Sequence, residues 1–293
     1  MKLEIEVFRI FSAFGIVWFH SGLHTGRQFA YGGLIYFIII SIFFTLKSKN
    51  PQRLSKRFKK LILPFILWTL FYGFINFLFN RTIFPDGFEG ISIILTTTSI
   101  HLWYLPFVFI LLIILDCFKL YFSRISLIYL FGVSAIILLY ISPIWRNIDF
   151  IIPFAQYAHA LPAAFIGIFI SSKIHTKLWF LIMFGIVTSL FRNFHDIGIT
   201  YISGLLPCIF LFVGHEIKKP DSIIFKISSA TFGVYLLHPF ILNVLKHIGV
   251  EYFWLPIFAF FISLAIILIA KFVISIKVLQ KFLFKTIYLP YNF

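Results

Sequence analysis

Two residues in the first apolar run could do chemistry, Arg9 and His20. The run from Ile5 to Leu23 is long enough to cross a bilayer, at roughly twenty residues rising about 1.5 Å each. Eleven residues at about 100° each come to about 20° past three full turns. A helix therefore puts Arg9 and His20 on one face, with a rise of roughly 16 Å between them. His24 follows on nearly the same face. A guanidinium inside a span costs several kcal/mol unless it meets a polar cavity or a partner. Arg9 is then either a functional group or a side chain that snorkels to the headgroups, with His20 at the opposite interface. Taken alone, these two residues leave both readings open.

The elements that must position them are membrane helices. The 293 residues are 61% hydrophobic and 12% charged; a soluble globular domain carries about 25% charge. We therefore expect an all-α, polytopic membrane helix bundle, residues 1–293 forming a single transmembrane domain. Apolar runs near 5–23, 29–46, 61–79, 103–118, 125–142, 151–171, 177–191, 198–214, 223–245 and 254–276 predict about ten transmembrane helices. The first run carries Arg9 and lacks a small-residue cleavage site, so it reads as a retained signal anchor. With the N-terminus in the cytoplasm, the inside segments hold nineteen of the 25 Lys and Arg residues. The outside loops hold only Arg27, Arg81, Arg146, Arg192 and Lys246. That positive-inside bias predicts cytoplasmic N- and C-termini. It also accounts for the net charge of +15 without nucleic acid, the basic loop 47–60 anchoring to anionic lipid.

The longest outside connection, Asn80 to about His101, contains the turn signal Pro85-Asp86-Gly87. Ile91 to Ser99 reads as a short helix lying in the interface. Cys117 and Cys208 match no metal or redox spacing, and no structural disulfide is expected. No His, Glu and Asp set is spaced for a metal. No Gly-rich phosphate loop and no Ser-His-Asp arrangement is found either. Asp116 is the acidic residue nearest the middle of a span, placed toward the cytoplasmic end of the fourth helix.

Three stretches share a pattern. Arg9 and His20 are separated by ten residues; His101-Leu-Trp103-Tyr104-Leu105 opens the fourth helix; Ser228-Ser-Ala-Thr-Phe-Gly-Val-Tyr235-Leu-Leu-His238-Pro239 lies in the ninth. In this order and spacing the sequence resembles the acyltransferase-3 family of integral membrane O-acyltransferases. The first stretch matches that family's Arg-X10-His motif. The second is similar to its Leu-Trp-Phe/Tyr-Leu element, and the third to its Tyr-Leu-X-His stretch. One departure is Gly32-Gly33-Leu-Ile-Tyr-Phe with Ser41-Ile-Phe43, where the family pattern carries two more glycines. A second is the short tail after the tenth run, without the extracytoplasmic C-terminal domain of some relatives.

The resemblance implies a membrane O-acetyltransferase with acetyl-CoA as donor. Its acceptor would be a hydroxyl of a cell-surface glycan, or of the lipid-linked precursor, at the bacterial inner membrane. It implies that Arg9 binds or positions acyl-CoA entering from the cytoplasm. His20 would act as general base or transiently carry the acyl group. The chemistry suits the residue types: histidine titrates near neutral pH, and arginine stays charged and grips phosphate bidentately. Trp103 and Tyr104 could line the donor or sugar site, or could be interfacial belt residues. Tyr235 and His238, one helical turn apart, are candidates for donor contact, or a hydrogen-bonded pair stabilising a helix contact. His24, and His195-Asp196 with Arg146, are weaker candidates near the outer face. A transporter or flippase for a lipid-linked saccharide is the alternative, for which no pair of Gly/Pro-broken repeats is evident. A non-catalytic subunit of a polysaccharide synthase is a third reading.

Overall fold

A computed structural model describes residues 2–48, 50, 52–79, 81–84, 90–118, 125–172, 176–214 and 223–275. Among them every element with three or more residues is helical. Helix α1, Leu3–Ser21, begins with Glu4 and Glu6 in its first turn, where carboxylates complement the helix dipole. It ends at Gly22, whose φ of 90° is left-handed and favours glycine. Helix α2 is Arg27–Lys47. Helix α3, Leu54–Leu78, contains a π turn at Phe58–Ile62. Helix α4 is Ile91–Thr96, and α5, Tyr104–Cys117, follows a 3-10 turn at Ile100–Trp103. Helices α6, α7 and α8 are Ile125–Tyr140, Phe154–Ile170 and Thr176–Arg192. Helix α9, Phe194–Val213, changes winding along its length, from π at Phe194–Gly198 to 3-10 at Leu206–Ile209. Helices α10, α11 and α12 are Ile223–Ser228, Thr231–His247 and Leu255–Ser275.

Each apolar run of the sequence carries helix. Among the described residues five helices are long and apolar enough to cross a membrane: Arg27–Lys47, Leu54–Leu78, Ile100–Cys117, Phe194–Val213 and Leu255–Val273. Leu127–Tyr140 and Phe154–Ile170 are apolar but shorter. The third helix starts at Leu54, inside the stretch read as a basic loop. Lys and Arg are good helix formers, and Arg57 pairs with Asp116 of α5. The ninth run is broken after Ser228. Thr231 Oγ1 donates to Ser228 O at 2.7 Å and Lys271 Nζ to Ser229 O at 2.6 Å, so side chains satisfy carbonyls the break exposes. The short helix after the long outer connection is α4; its turn, Pro85-Asp86-Gly87, lies outside the described residues.

The chain divides into two compact units, residues 1–34 with 203–293, and residues 35–202. In the first unit α1 packs against α10, α11 and α12. Close packing of small residues drives such contacts where hydrocarbon, not water, is the solvent. A Cβ on Gly15 would come within 2.7 Å of Ala30 O, and one on Gly33 within 2.4 Å of Ser12 O. The Gly33 of the family-like stretch thus serves helix–helix approach between α1 and the start of α2. Phe14 meets Phe260 edge to face at 5.3 Å, tying α1 to α12.

In the second unit α6 packs between α7 and α8, with Ala135, Leu139, Ala163, Ile166 and Ile186 fully buried. Thr69 and Thr97 hydroxyls are bonded at 2.8 Å and Thr98 Oγ1 donates to Thr69 O at 2.9 Å, fastening α3 to the chain after α4.

Candidate active site

The last turn of α1 holds His20 in place through its neighbours. Ser21 Oγ donates to Trp18 O at 2.7 Å and accepts from Leu23 N–H at 3.2 Å; Trp18 Nε1 donates to Thr25 O at 2.8 Å. Phe19 packs on Tyr31 at 4.4 Å, and the Arg27 guanidinium lies over the Phe19 ring at 4.7 Å. Half-buried, the His20 ring faces that of His238 on α11, with centroids 5.2 Å apart and planes at 48°. His20 and His238, two of the sequence candidates, are therefore brought together, with Tyr235 at 6.1 Å from His238.

The Tyr-Leu-Leu-His-Pro order has a physical consequence here. In an α-helix the N–H of residue 239 would bond to the carbonyl of residue 235. Proline has no N–H, so Pro239, inside α11, leaves Tyr235 O to another donor. His238 Nδ1 takes it at 2.7 Å, with Val234 O at 3.2 Å. Carbonyl oxygens only accept, so Nδ1 carries a proton. A hydrogen bond of this kind contributes about 0.5–1.5 kcal/mol. The His238 side chain is wholly buried.

Near its start, α1 carries an ionic network. Arg9 Nη1 meets Glu6 Oε2 at 3.0 Å, three residues apart on one helix face. The Glu6 side chain is only 3% exposed and that of Arg9 24%. Ser228 Oγ, at the end of α10, also donates to Glu6 Oε2. The next residue, Ser229, receives Lys271 of α12 through its carbonyl at 2.6 Å and its hydroxyl at 3.0 Å. Arg9 and Lys271 lie within electrostatic reach of one another. Arg9 Nε is buried with no hydrogen-bond partner among the described residues, an unmet donor worth about 1–3 kcal/mol. The sequence reading missed Glu6 as a functional residue, although its spacing from Arg9 is that of a helical ion pair. Ser228 and Ser229 open the stretch that carries Tyr235, and Lys271 is one of the nineteen Lys and Arg residues counted on the inside.

Trp103 and Tyr104 belong to the second unit. Trp103 is 7% exposed, with Phe107 and Tyr157 rings each at 5.9 Å. Tyr104 is half-buried, edge-on to Trp103 at 6.0 Å. His101 is buried, its Nδ1 paired with Ser99 Oγ at 2.7 Å. Arg146 and Asp196 form an ion pair with each other, and Ser142 Oγ donates to Asp196 at 3.1 Å. His24, His195 and His247 are exposed; His175 and His215 lie outside the described residues.

Helix α1 thus contributes to two kinds of machinery, His20 to an imidazole pair suited to moving a proton and Arg9 to a cationic network suited to holding an anion. Among the described residues five helices are long and apolar enough to cross a membrane, as a multi-pass membrane protein requires. A family model for an acyltransferase domain, that of the acyltransferase-3 family, matches residues 2–276. The chain belongs to that family, which supports a membrane acyltransferase. No curated protein and no solved structure matches it.

Proposed function

We propose that the chain moves an acetyl group from cytoplasmic acetyl-CoA to a hydroxyl of a bacterial cell-surface glycan or its lipid-linked precursor. The observation that carries this reading is the His20–His238 ring pair, 5.2 Å between centroids, in an acyltransferase-3 chain. His20 takes the proton of the acceptor hydroxyl as its oxygen attacks the thioester carbonyl carbon. The new C–O bond forms, the C–S bond breaks, and the thiolate leaves with the proton returned by His20. His238, its Nδ1 proton held by Tyr235 O, stands beside the working ring.

Arg9 takes a phosphate of the donor, and its unmet Nε–H fits an oxyanion. The rise of roughly 16 Å along α1 leaves room for the pantetheine arm between phosphate and reacting carbonyl. Tyr235, one turn from His238, contacts the donor in this scheme. Ten spans with both termini cytoplasmic put the Arg9 end of α1 on the donor side, and the charge bias of the loops supports that orientation.

The test is the product. Purified protein given radiolabelled acetyl-CoA and a glycan acceptor should release free CoA and leave an ester that mild alkali removes. Movement of an unmodified lipid-linked saccharide across sealed vesicles, with no ester formed, would overturn the reading in favour of a transporter.

A further inference from the structure

We propose that Lys271 is a second phosphate-binding cation, completing with Arg9 a two-cation clamp for the nucleotide phosphates of the donor; this rests on the acetyl-CoA reading above. The network at the start of α1 holds two cations, Arg9 and Lys271, and one carboxylate, Glu6. Glu6 is already committed twice, to Arg9 and to Ser228. One negative charge cannot neutralise both cations. An ammonium has three N–H donors; two of those on Lys271 go to Ser229 O and Ser229 Oγ. The third is left over from those two bonds, and the buried Nε–H of Arg9 has no hydrogen-bond partner among the described residues.

Ser229 fixes where the ammonium stands, and Glu6 is a positioning residue that fixes where the guanidinium stands. A phosphate, with several acceptor oxygens and negative charge, matches what is left over on both. Capping the broken end of α10 explains the bond from Lys271 to Ser229 O, but neither the surplus positive charge nor the unmet Arg9 donor. The lysine sits on α12, over two hundred residues from Arg9 in the chain, so only packing of α1 against α12 brings the two cations to one network.

The experiment compares two donors, acetyl-CoA and S-acetylpantetheine, which carries the same thioester without phosphates. With full-length protein in detergent, the wild type should prefer acetyl-CoA in kcat/KM. Lys271→Met should reduce that preference by about tenfold, the worth of one charge-assisted hydrogen bond, while its use of S-acetylpantetheine stays near wild type. Lys271→Arg should restore most of the preference, and Ser229→Ala, which loosens the ammonium, should lower it two- to threefold. Calorimetry with CoA alone, in the absence of acceptor, should give the same order of affinities. If Lys271→Met slows both donors equally, or neither, the lysine is structural and this inference is overturned while the donor reading stands. If the wild type binds no CoA at all, the donor reading itself is wrong.

Discussion

Two of the arginine–carboxylate pairs, Arg9–Glu6 in the first unit and Arg57–Asp116 in the second, look alike on paper and are built differently. Arg57 and Asp116 are 5% and 10% exposed, an enclosed pair between α3 and α5. Arg9 and Glu6 share a helix, and only the carboxylate is enclosed; the guanidinium remains 24% exposed with a donor unmet. The first arrangement shields both charges from water and binds two helices. The second holds a cation in readiness, at the foot of a helix whose other end carries His20. Each pair leaves one buried polar atom unpartnered, Asp116 Oδ1 in the first and Arg9 Nε in the second; what separates them is that only the Arg9 guanidinium remains open to a ligand.

The largest expected effect lies at the other end of α1. His20→Ala should lower kcat by roughly 10²–10⁴ with normal insertion and folding, since alanine enters an apolar span easily. Radiolabelled acetyl-CoA without acceptor asks whether label stays on the wild-type protein and is lost in the variant. Retained label would indicate an acyl-histidine route, and its absence direct transfer. An active, well-folded His20→Ala would reduce α1 to an anchor.

Asp116→Ala should strand Arg57 and destabilise the fold by about 3–5 kcal/mol, read as thermal unfolding in detergent. Replacing both partners by leucine should recover most of that loss, and activity per folded molecule should be unchanged. A selective loss of donor binding in Asp116→Ala would erase the distinction between the two pairs.

Arg9→Lys keeps the charge and gives up the bidentate fork. KM for acetyl-CoA should rise by about tenfold with a smaller change in kcat, and single-turnover measurements will show whether KM follows affinity. An equal fall in kcat would move Arg9 from donor binding to the chemical step.

The smallest effect sharpens the imidazole pair. Pro239→Ala supplies an N–H that competes with His238 Nδ1 for Tyr235 O. We expect a loss of about two- to tenfold in kcat, with a melting temperature equal to or above wild type because the helix regains a hydrogen bond. Unchanged kcat would show that the His238 hydrogen bond is immaterial.

Much of this was determined by the sequence itself. Apolar runs specify helices because backbone groups in hydrocarbon must bond within their own segment. Helical geometry alone set Arg9 and His20 on one face of α1. The loss of the Tyr235 carbonyl's partner follows from Pro239 four residues on, and Glu6 could have been read beside Arg9 from spacing alone. The turns where α3 begins and where the ninth run breaks were not legible. Side chains from elsewhere, Asp116 and Lys271, satisfy the groups exposed there. Only the tertiary structure decided that His20 meets His238 and that Glu6 binds Ser228, 222 positions away. It also buried Trp103 against Phe107 and Tyr157. Periodicity reports which face of a helix is polar; which face of another helix meets it depends on the packing of both, and no local stretch of chain encodes that.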